Sequence, residues 1–323
     1  MSETPVAPLD FEAEVHEIEL RIAAIHQDSR DSSPAELLGK SRELIKERDR
    51  KLKQLYAKLD AWQTCKVARH PQRPQAADYL HEGLDDFIGM HGDRMYGDDP
   101  AVIGGLAQLQ GRSIMAIAQH KGSSTEDRIA HNFGMPMPEG YRKALRLAKL
   151  AAKFRLPVVT FIDTPGAYPG IEAEERGQAQ AIGNCLLEMA VLETPIIAIV
   201  IGEGGSGGAL ALGVADEVMM LEHSIYSVIS PEGCASILWR SAERAADAAA
   251  ALNLTAGKLK KLDLIDTIIA EPIGGAHRDR TGTIGAVCKA AAATLDRLAG
   301  IDLQAIVQRR AARARNYGKF DGG

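Results

Sequence analysis

The sequence predicts an α/β protein built on a largely parallel sheet covered by helices. Two observations carry that expectation. From Pro138 onward, amphipathic helical stretches alternate with short apolar, β-branched runs. That is the rhythm of strand, crossover helix and parallel strand. In residues 195–214, PIIAIVIGEGGSGGALALGV, an apolar run enters Gly202-Glu-Gly-Gly-Ser-Gly-Gly208 and leaves as a small-residue apolar segment. The order reads as buried strand, glycine turn, helix start.

Composition bounds the rest. The chain has 323 residues, enough for two ordinary domains or one large α/β domain with an appendage. Its 46% hydrophobic content supports a substantial core, and a net charge of −5 argues against general nucleic-acid or anionic-membrane binding. No apolar run reaches membrane-spanning length, and the start, MSETPVAPLDFEAEV, has neither a basic flank nor an apolar signal core. The expected location is the cytoplasm. Cys65, Cys185, Cys234 and Cys288 are far apart with no CxxC pair. That excludes a zinc ribbon built from this chain alone and predicts reduced, semi-buried thiols. His120, His131 and His277 are scattered and lack HExxH spacing, so no metal site is expected.

Element by element, residues 10–62 read as a helical hairpin. Phe11, Val15, Ile18, Ile22 and Ile25 fall at helical spacing, the break lies at 28–34, and a second helix at 36–62 carries Leu37, Leu44, Leu52, Leu55 and Leu59. Such an arm packs on its own domain or docks another subunit. His70-Pro-Gln-Arg-Pro74 marks a connection between domains. A helix is expected at 76–88, a loop at 91–99, and a β-hairpin where 101–109 and 113–120 flank Gln110-Gly-Arg112. The polar stretch 121–138 reads as a functional loop. Helices follow at 139–154 and 173–192, strands at 157–163, 195–201, 217–221 and 226–229. A helix at 231–239 has Ser230 as its cap and Pro231 at its first position. Helices are expected at 245–252 and over 283–315, where Arg309, Arg310, Arg313 and Arg315 read as a solvated face. This divides the chain into an arm at 1–75, a main domain at 76–300, and a C-terminal helix and tail at 301–323.

Parallel sheets bind ligands beyond the C-terminal ends of their strands. Two successive strands end in glycine-bearing loops there, Asp163-Thr-Pro-Gly-Ala-Tyr-Pro-Gly170 and Gly202 to Gly208. A helix start offers unpaired N–H groups and partial positive charge, and glycines let a ligand approach them. Backbone donors at Gly204, Gly205, Gly207 and Gly208, faced by Gly166 and Ala167, would form an oxyanion hole. Other readings stand beside it. Gly202-x-Gly204-x-x-Gly207 matches a dinucleotide fingerprint, although it falls late in the chain. Gly204-x-Ser206-x-Gly208 matches a nucleophile elbow, with Asp263 or Asp266 as acid and His277 as base in hydrolase order. Ser206 can equally be a helix cap, and the whole turn can serve only close packing. Asp163-Thr-Pro-Gly166 matches the GTPase DxxG element, but the chain has no GxxxxGK[ST] loop.

Longer stretches are far more specific. Asn132-Phe-Gly-Met-Pro136, Pro138-Glu-Gly-Tyr-Arg-Lys-Ala-Leu-Arg146, Phe161 to Gly170, Glu174-Glu-Arg-Gly-Gln178, Ile201 to Leu210, Tyr226 to Trp239, Gly274-Gly-Ala-His-Arg278 and Ala68 to Pro74 together resemble the α subunit of bacterial acetyl-CoA carboxylase carboxyltransferase. The resemblance implies a crotonase-like fold of repeated ββα units with an N-terminal helical extension. It implies an enzyme, active only with a β subunit, that moves a carboxyl group from carboxybiotin on the biotin carboxyl carrier protein to acetyl-CoA. The product is malonyl-CoA for fatty acid biosynthesis. An α2β2 assembly, a zinc ribbon on the β subunit, and biotin carboxylase as a further component are implied with it. No metal is implied in this chain. The departures are few: Lys121-Gly-Ser-Ser-Thr125 has serines where bulkier polar residues are expected, and the tail is uncharacteristic.

On that resemblance, the glycine backbone would hold the biotin ureido oxygen as charge develops on it. Tyr168, Pro169 and Ser206 would line the substrate side. The freed ureido nitrogen could take the thioester α-proton, which would leave no need for a histidine or carboxylate base. Ser206→Ala is then expected to keep substantial activity, and Gly205→Val or Gly208→Val to abolish it in a folded protein.

Overall fold

A computed structural model describes residues 6–28 and 34–318, with backbone alone at 27, 28, 34–38 and 40. The middle of the expected break, 29–33, the Leu37 side chain and the tail end, 319–323, lie outside the described residues. The strands are β1 (Asp85–Gly89), β2 (Val102–Leu109), β3 (Arg112–Gln119), β4 (Val158–Thr164), β5 (Ile196–Gly205), β6 (Glu217–Leu221), β7 (Ile225–Ser227) and β8 (Thr267–Ile269). They form one sheet in the order β1-β2-β3-β4-β5-β6-β8. β7 pairs the far end of β5, beyond the part that pairs β6. β1, β2 and β3 are antiparallel and all later pairings are parallel. The β2–β3 hairpin turns on Gln110 and Gly111, both at positive φ, as a two-residue turn requires.

β4 and β5 are buried on both faces, which is why they are mainly apolar. In β5, Ile196, Ala198 and Val200 face one core and Ile197, Ile199 and Ile201 the other. The first core is covered by α6 (Pro138–Lys153), through Tyr141 and Leu147, and by α8 (Gln178–Ala190), through Cys185 and Met189. The second is covered by α4 (Ala76–Glu82), through Tyr79 and Leu80, and by α13 (Arg280–Leu298), through Ile284, Val287 and Leu295.

The expected elements shift at three places. The helix expected to 88 ends as α4 at Glu82, and the next residues pair with β2 as edge strand β1. A short run around Phe87 and Ile88 suits either state by pattern, and tertiary pairing decides. The helix expected over 173–192 is divided by Gly177, at φ 81°, into α7 (Ile171–Glu175) and α8. The expected loop at 121–138 contains a short helix, α5 (Thr125–Ala130), whose N-cap is Ser124.

The arm consists of α1 (Ala13–Asp28), α2 (Pro34–Tyr56) and α3 (Ala61–Ala68). The long second helix stops at Tyr56, and Asp60 caps α3 by accepting from the Gln63 N–H. The base of the arm packs on its own chain. Val15, Leu52, Tyr56 and Val67 form one apolar cluster, and Arg278 pairs Glu12 at 3.0 Å and Glu19 at 2.5 Å. In the connection that follows, buried Arg73 donates to the Ile201 carbonyl at 2.7 Å and pairs Glu271 at 2.5 Å.

Beyond β5 the chain forms α9 (Ser206–Gly213), α10 (Pro231–Trp239), α11 (Ala245–Leu252) and α12 (Ala256–Lys261), and after α13 it ends in α14 (Leu303–Arg315). As expected, the Ser230 hydroxyl accepts from the Gly233 N–H at the start of α10. The arginines of α14 form a solvated face only in part: Arg309 and Arg315 are exposed, whereas Arg313 is half-buried and Arg310 buried. Arg310 is only 3% exposed, forks onto Asp216 at 2.7 and 3.0 Å, and donates to the carbonyls of Met189, Leu192 and Thr194. Arg309 pairs Glu217 and Arg313 pairs Asp266. A sequence window cannot show that acids 47 to 94 residues away wait for these cations. Cys65, Cys185 and Cys288 are buried, Cys234 half-buried, and all four are free thiols.

Candidate active site

Both expected loops leave the same end of neighbouring parallel strands, with Thr164 of β4 opposite Gly204 of β5. The glycine turn is tighter than the sequence suggests. β5 continues through Gly205 and α9 begins at the next residue. The reversal is taken at Ser206, an exposed non-glycine residue at φ 52°, a backbone conformation that costs about 1–3 kcal/mol.

The glycines divide into two kinds. A Cβ on Gly205 would stand 2.1 Å from the Pro165 carbonyl oxygen, and one on Gly208 would stand 2.6 Å from the Ala167 nitrogen. One on Gly204 would meet the Tyr226 ring at 2.8 Å. These three are glycines because the 165–167 backbone and Tyr226 lie against them. Gly207 is different, with Ile182 its nearest neighbour at 3.7 Å, in ordinary contact range. Gly207 and Ser206 line a mostly apolar cavity of about 450 Å³, with Leu210, Tyr226, Val228 and Leu252.

As the first residues of α9, Ser206, Gly207 and Gly208 have N–H groups with no intrahelical acceptor. Among the described residues no side chain and no loop carbonyl accepts from the Gly207 or Gly208 N–H. The Gly208 carbonyl is held instead, by the buried Gln119 amide at 2.7 Å. On the facing loop, the Gly166 N–H is engaged with the Thr164 hydroxyl at 3.1 Å, whereas no described group accepts from the Ala167 N–H. Tyr168 is half-buried, donates its N–H to the Pro136 carbonyl and accepts from Gln178; Pro169 is exposed.

Beside these loops, a polar cavity of about 200 Å³ is lined by Arg69, Lys121, Asp163 and Glu203. Lys121 contacts Asp163 at 2.6 Å and Glu203 at 3.5 Å, and Arg69 pairs Glu203 at 2.5 Å and Glu232 at 2.6 Å. Asp163 accepts the Glu203 N–H at 2.9 Å. Burial alone would raise the Glu203 carboxyl, but Lys121 and Arg69 outweigh it and hold it below its ordinary value. Sequence reasoning missed this cluster. Its signal is an acid inside a strand that is otherwise apolar or glycine, since a buried charge requires a partner.

The nucleophile-elbow partners are not assembled. His277 stacks on His70 with ring centroids 3.8 Å apart, and neither of its ring nitrogens has a hydrogen-bond partner among the described residues. Burial and the neighbouring His70 push it down to about 2, too low for a general base. Asp266 accepts from Arg313 and the Val218 N–H. Ser206 makes no hydrogen bond with His277, Asp263 or Asp266 among the described residues. What remains at the turn is the start of α9, whose Ser206 and Gly207 line a cavity of ligand size.

The chain is similar to known carboxyltransferases. A family model described as "Acetyl co-enzyme A carboxylase carboxyltransferase-like" matches residues 8–318. The chain is 53% identical over 312 residues to an acetyl-coenzyme A carboxylase carboxyl transferase subunit alpha of Burkholderia mallei, covering 97% of this chain and 96% of that one. The corresponding protein of Burkholderia vietnamiensis is 54% identical over the same length. Among solved structures, a Pseudomonas malonate decarboxylase hetero-tetramer in complex with coenzyme A superposes with a TM-score of 0.58 at 19% identity, covering 75% of this chain and 97% of that one. The β subunit of Pseudomonas aeruginosa geranyl-CoA carboxylase superposes at 0.55 and 15% identity, over 82% of this chain and 48% of that one. Transcarboxylase 12S superposes at 0.53 and 20% identity, over 66% of this chain and 41% of that one. The fold is crotonase-like.

Proposed function

Because this chain belongs to the acetyl co-enzyme A carboxylase carboxyltransferase-like family, we propose that the turn at 206–208 grips the oxygen that becomes negative during carboxyl transfer. The chain is the α-type carboxyltransferase component of acetyl-CoA carboxylase and with a β subunit forms malonyl-CoA from acetyl-CoA. The cofactor is biotin on a separate carrier protein, which when bound brings the carboxyl group and collects charge on its ureido oxygen as that group leaves.

One observation carries the placement: no described side chain or loop carbonyl accepts from the N–H groups of Gly207 and Gly208, and Gly207 lines a cavity of about 450 Å³. The residues fit such a group, because the cavity is mostly apolar and the helix start is part of its lining. Gly207 and Gly208 donate to the ureido oxygen, and the α9 dipole adds partial positive charge there. Gly204 and Gly205 hold the turn in shape against Tyr226 and the 165–167 loop. Ala167 offers the facing donor. Leu210, Tyr226, Val228 and Leu252 exclude water, which strengthens those hydrogen bonds. Tyr168 and Pro169 border the same loop.

The acyl-CoA is held by the β subunit in an α2β2 assembly, with biotin carboxylase and the carrier protein as further partners, in the cytoplasm. Val228, Ile237 and Leu238 support a covering chain at this face, being 77%, 71% and 63% exposed around the cavity mouth and along α10. No helix among the described residues is long and apolar enough to cross a membrane.

The test is malonyl-CoA formation from acetyl-CoA and carboxybiotin, first with this chain alone and then with the β subunit of the same organism. Activity in the mixture alone supports the reading. A folded complex without activity removes it.

A further inference from the structure

The segment after β3 folds back on itself. His120 is fixed to the neighbouring strand by its N–H, which donates to the Ala101 carbonyl at 2.9 Å. Gly122 then takes φ 81°, and a Cβ there would stand 2.6 Å from the Asp127 carbonyl carbon. Glycine thus lets α5 lie directly against the end of β3. The Asp127 carboxylate is tied down by the Ser123 N–H at 2.6 Å. One helical turn on, His131 directs Nδ1 at the Asp127 carbonyl, 2.7 Å away, and at the Asp127 carboxylate, 3.0 Å away, and its ring stands edge-on to His120 with centroids 4.6 Å apart. A carbonyl only accepts, so His131 Nδ1 carries the proton and Nε2 has the lone pair. His120 is 92% buried by its 8% exposure, and its Nδ1 has no hydrogen-bond partner among the described residues.

One donor atom from each of His120, Asp127 and His131 lies within 4.8 Å of the others. Zinc bonds of about 2.0–2.2 Å place tetrahedral donors roughly 3.3 Å apart, so the donors have at most about 1.5 Å to close. A ligating histidine usually donates its other ring N–H to a carbonyl or carboxylate, as His131 already does. The nearby cations are engaged elsewhere, Lys121 with Asp163 and Arg128 with the Gly122 carbonyl. We propose that His120, Asp127 and His131 form a binding site for a divalent transition metal of the zinc class, with the fourth position open to water or an anion. The ion clips α5 to the end of β3. Its occupancy is felt one residue away, at Lys121, which bridges Asp163 and Glu203 in the polar cavity.

The test uses the full chain without its partner subunit, stripped of metal by a chelator. It is titrated with Zn²⁺ by calorimetry and with Co²⁺ by visible absorption. One ion per chain and the ligand-field bands of four- or five-coordinate cobalt are expected. His131→Gln and Asp127→Asn should each weaken binding at least about tenfold. His277→Gln, which alters a buried imidazole outside the cluster, should bind as the parent does. His120→Gln is a further test if that buried position tolerates it. The absence of saturable binding, or binding unchanged in both His131→Gln and Asp127→Asn, overturns the proposal.

Discussion

Gly208 and Ala167 meet backbone to backbone: a Cβ on Gly208 would stand 2.6 Å from the Ala167 nitrogen. The two loops that build the site are therefore each other's packing surface. Gly205 repeats the contact against the Pro165 carbonyl at 2.1 Å. Neither neighbour is a flexible side chain that can swing aside. Gly205→Ala and Gly208→Ala should each destabilise the chain by about 1–3 kcal/mol, and the valine variants by more. Thermal melts check this. The sequence alone led us to expect inactive but intact valine variants at these two positions, and the contacts predict a loss of stability as well.

Gly207→Val separates chemistry from packing. Gly207 lines the cavity, and a Cβ there would stand 3.7 Å from Ile182, in ordinary contact range. Malonyl-CoA formation in the presence of the β subunit should fall at least about 100-fold, the scale of a lost oxyanion donor. The melting midpoint should stay near that of the parent.

Ser206→Ala should lower kcat by less than about tenfold, because the turn works through main-chain donors. Steady-state kinetics on the reconstituted enzyme decide it. Complete inactivation of the folded alanine variant would restore a nucleophilic role for Ser206.

Glu203→Gln should cost stability in a pH-dependent way. The carboxyl is held below its ordinary value of 4.5, burial opposing the shift and Lys121 and Arg69 overcoming it. A depressed folded-state value means that the contribution is present above 4.5 and is lost as pH falls through the lower value in the folded protein. Denaturation midpoints of parent and variant should differ at neutral pH and converge in acid.

Arg310→Met should be severely destabilising, by about 3–5 kcal/mol, since it leaves Asp216 as an unpaired charge in the interior. Urea unfolding measures it. The Arg310→Met, Asp216→Asn double variant should recover part of the loss.

Much of this was legible in the sequence, for identifiable reasons. The β4 and β5 runs are apolar on both faces, so a parallel sheet under helices was readable from them, and Ser230 with Pro231 marked the start of α10. The two loops at one end of the sheet followed from Asp163 to Gly170 and Gly202 to Gly208. What the residues could not show was which glycine faces space and which faces backbone, because that depends on where Pro165, Ala167 and Tyr226 lie in three dimensions. The Arg69–Glu203–Lys121–Asp163 cluster joins residues 134 positions apart in the Arg69–Glu203 pair, beyond any local pattern. The edge strand β1 was lost to helix for the opposite reason, a short run that suits both states until β2 pairs with it.

Arg310 has a consequence for the order of events during synthesis. Its guanidinium supplies the donors for the carbonyls of Met189, Leu192 and Thr194 and the only cation on Asp216 among the described residues, across separations of 94 to 121 residues. While the ribosome is still adding α13, these groups must stay hydrated or unsatisfied, and the apolar edge around them stays open. Chains emerge at about 5–20 residues per second, so this interval lasts seconds. Released fragments that stop before α14 should accordingly be substrates for chaperones and proteases.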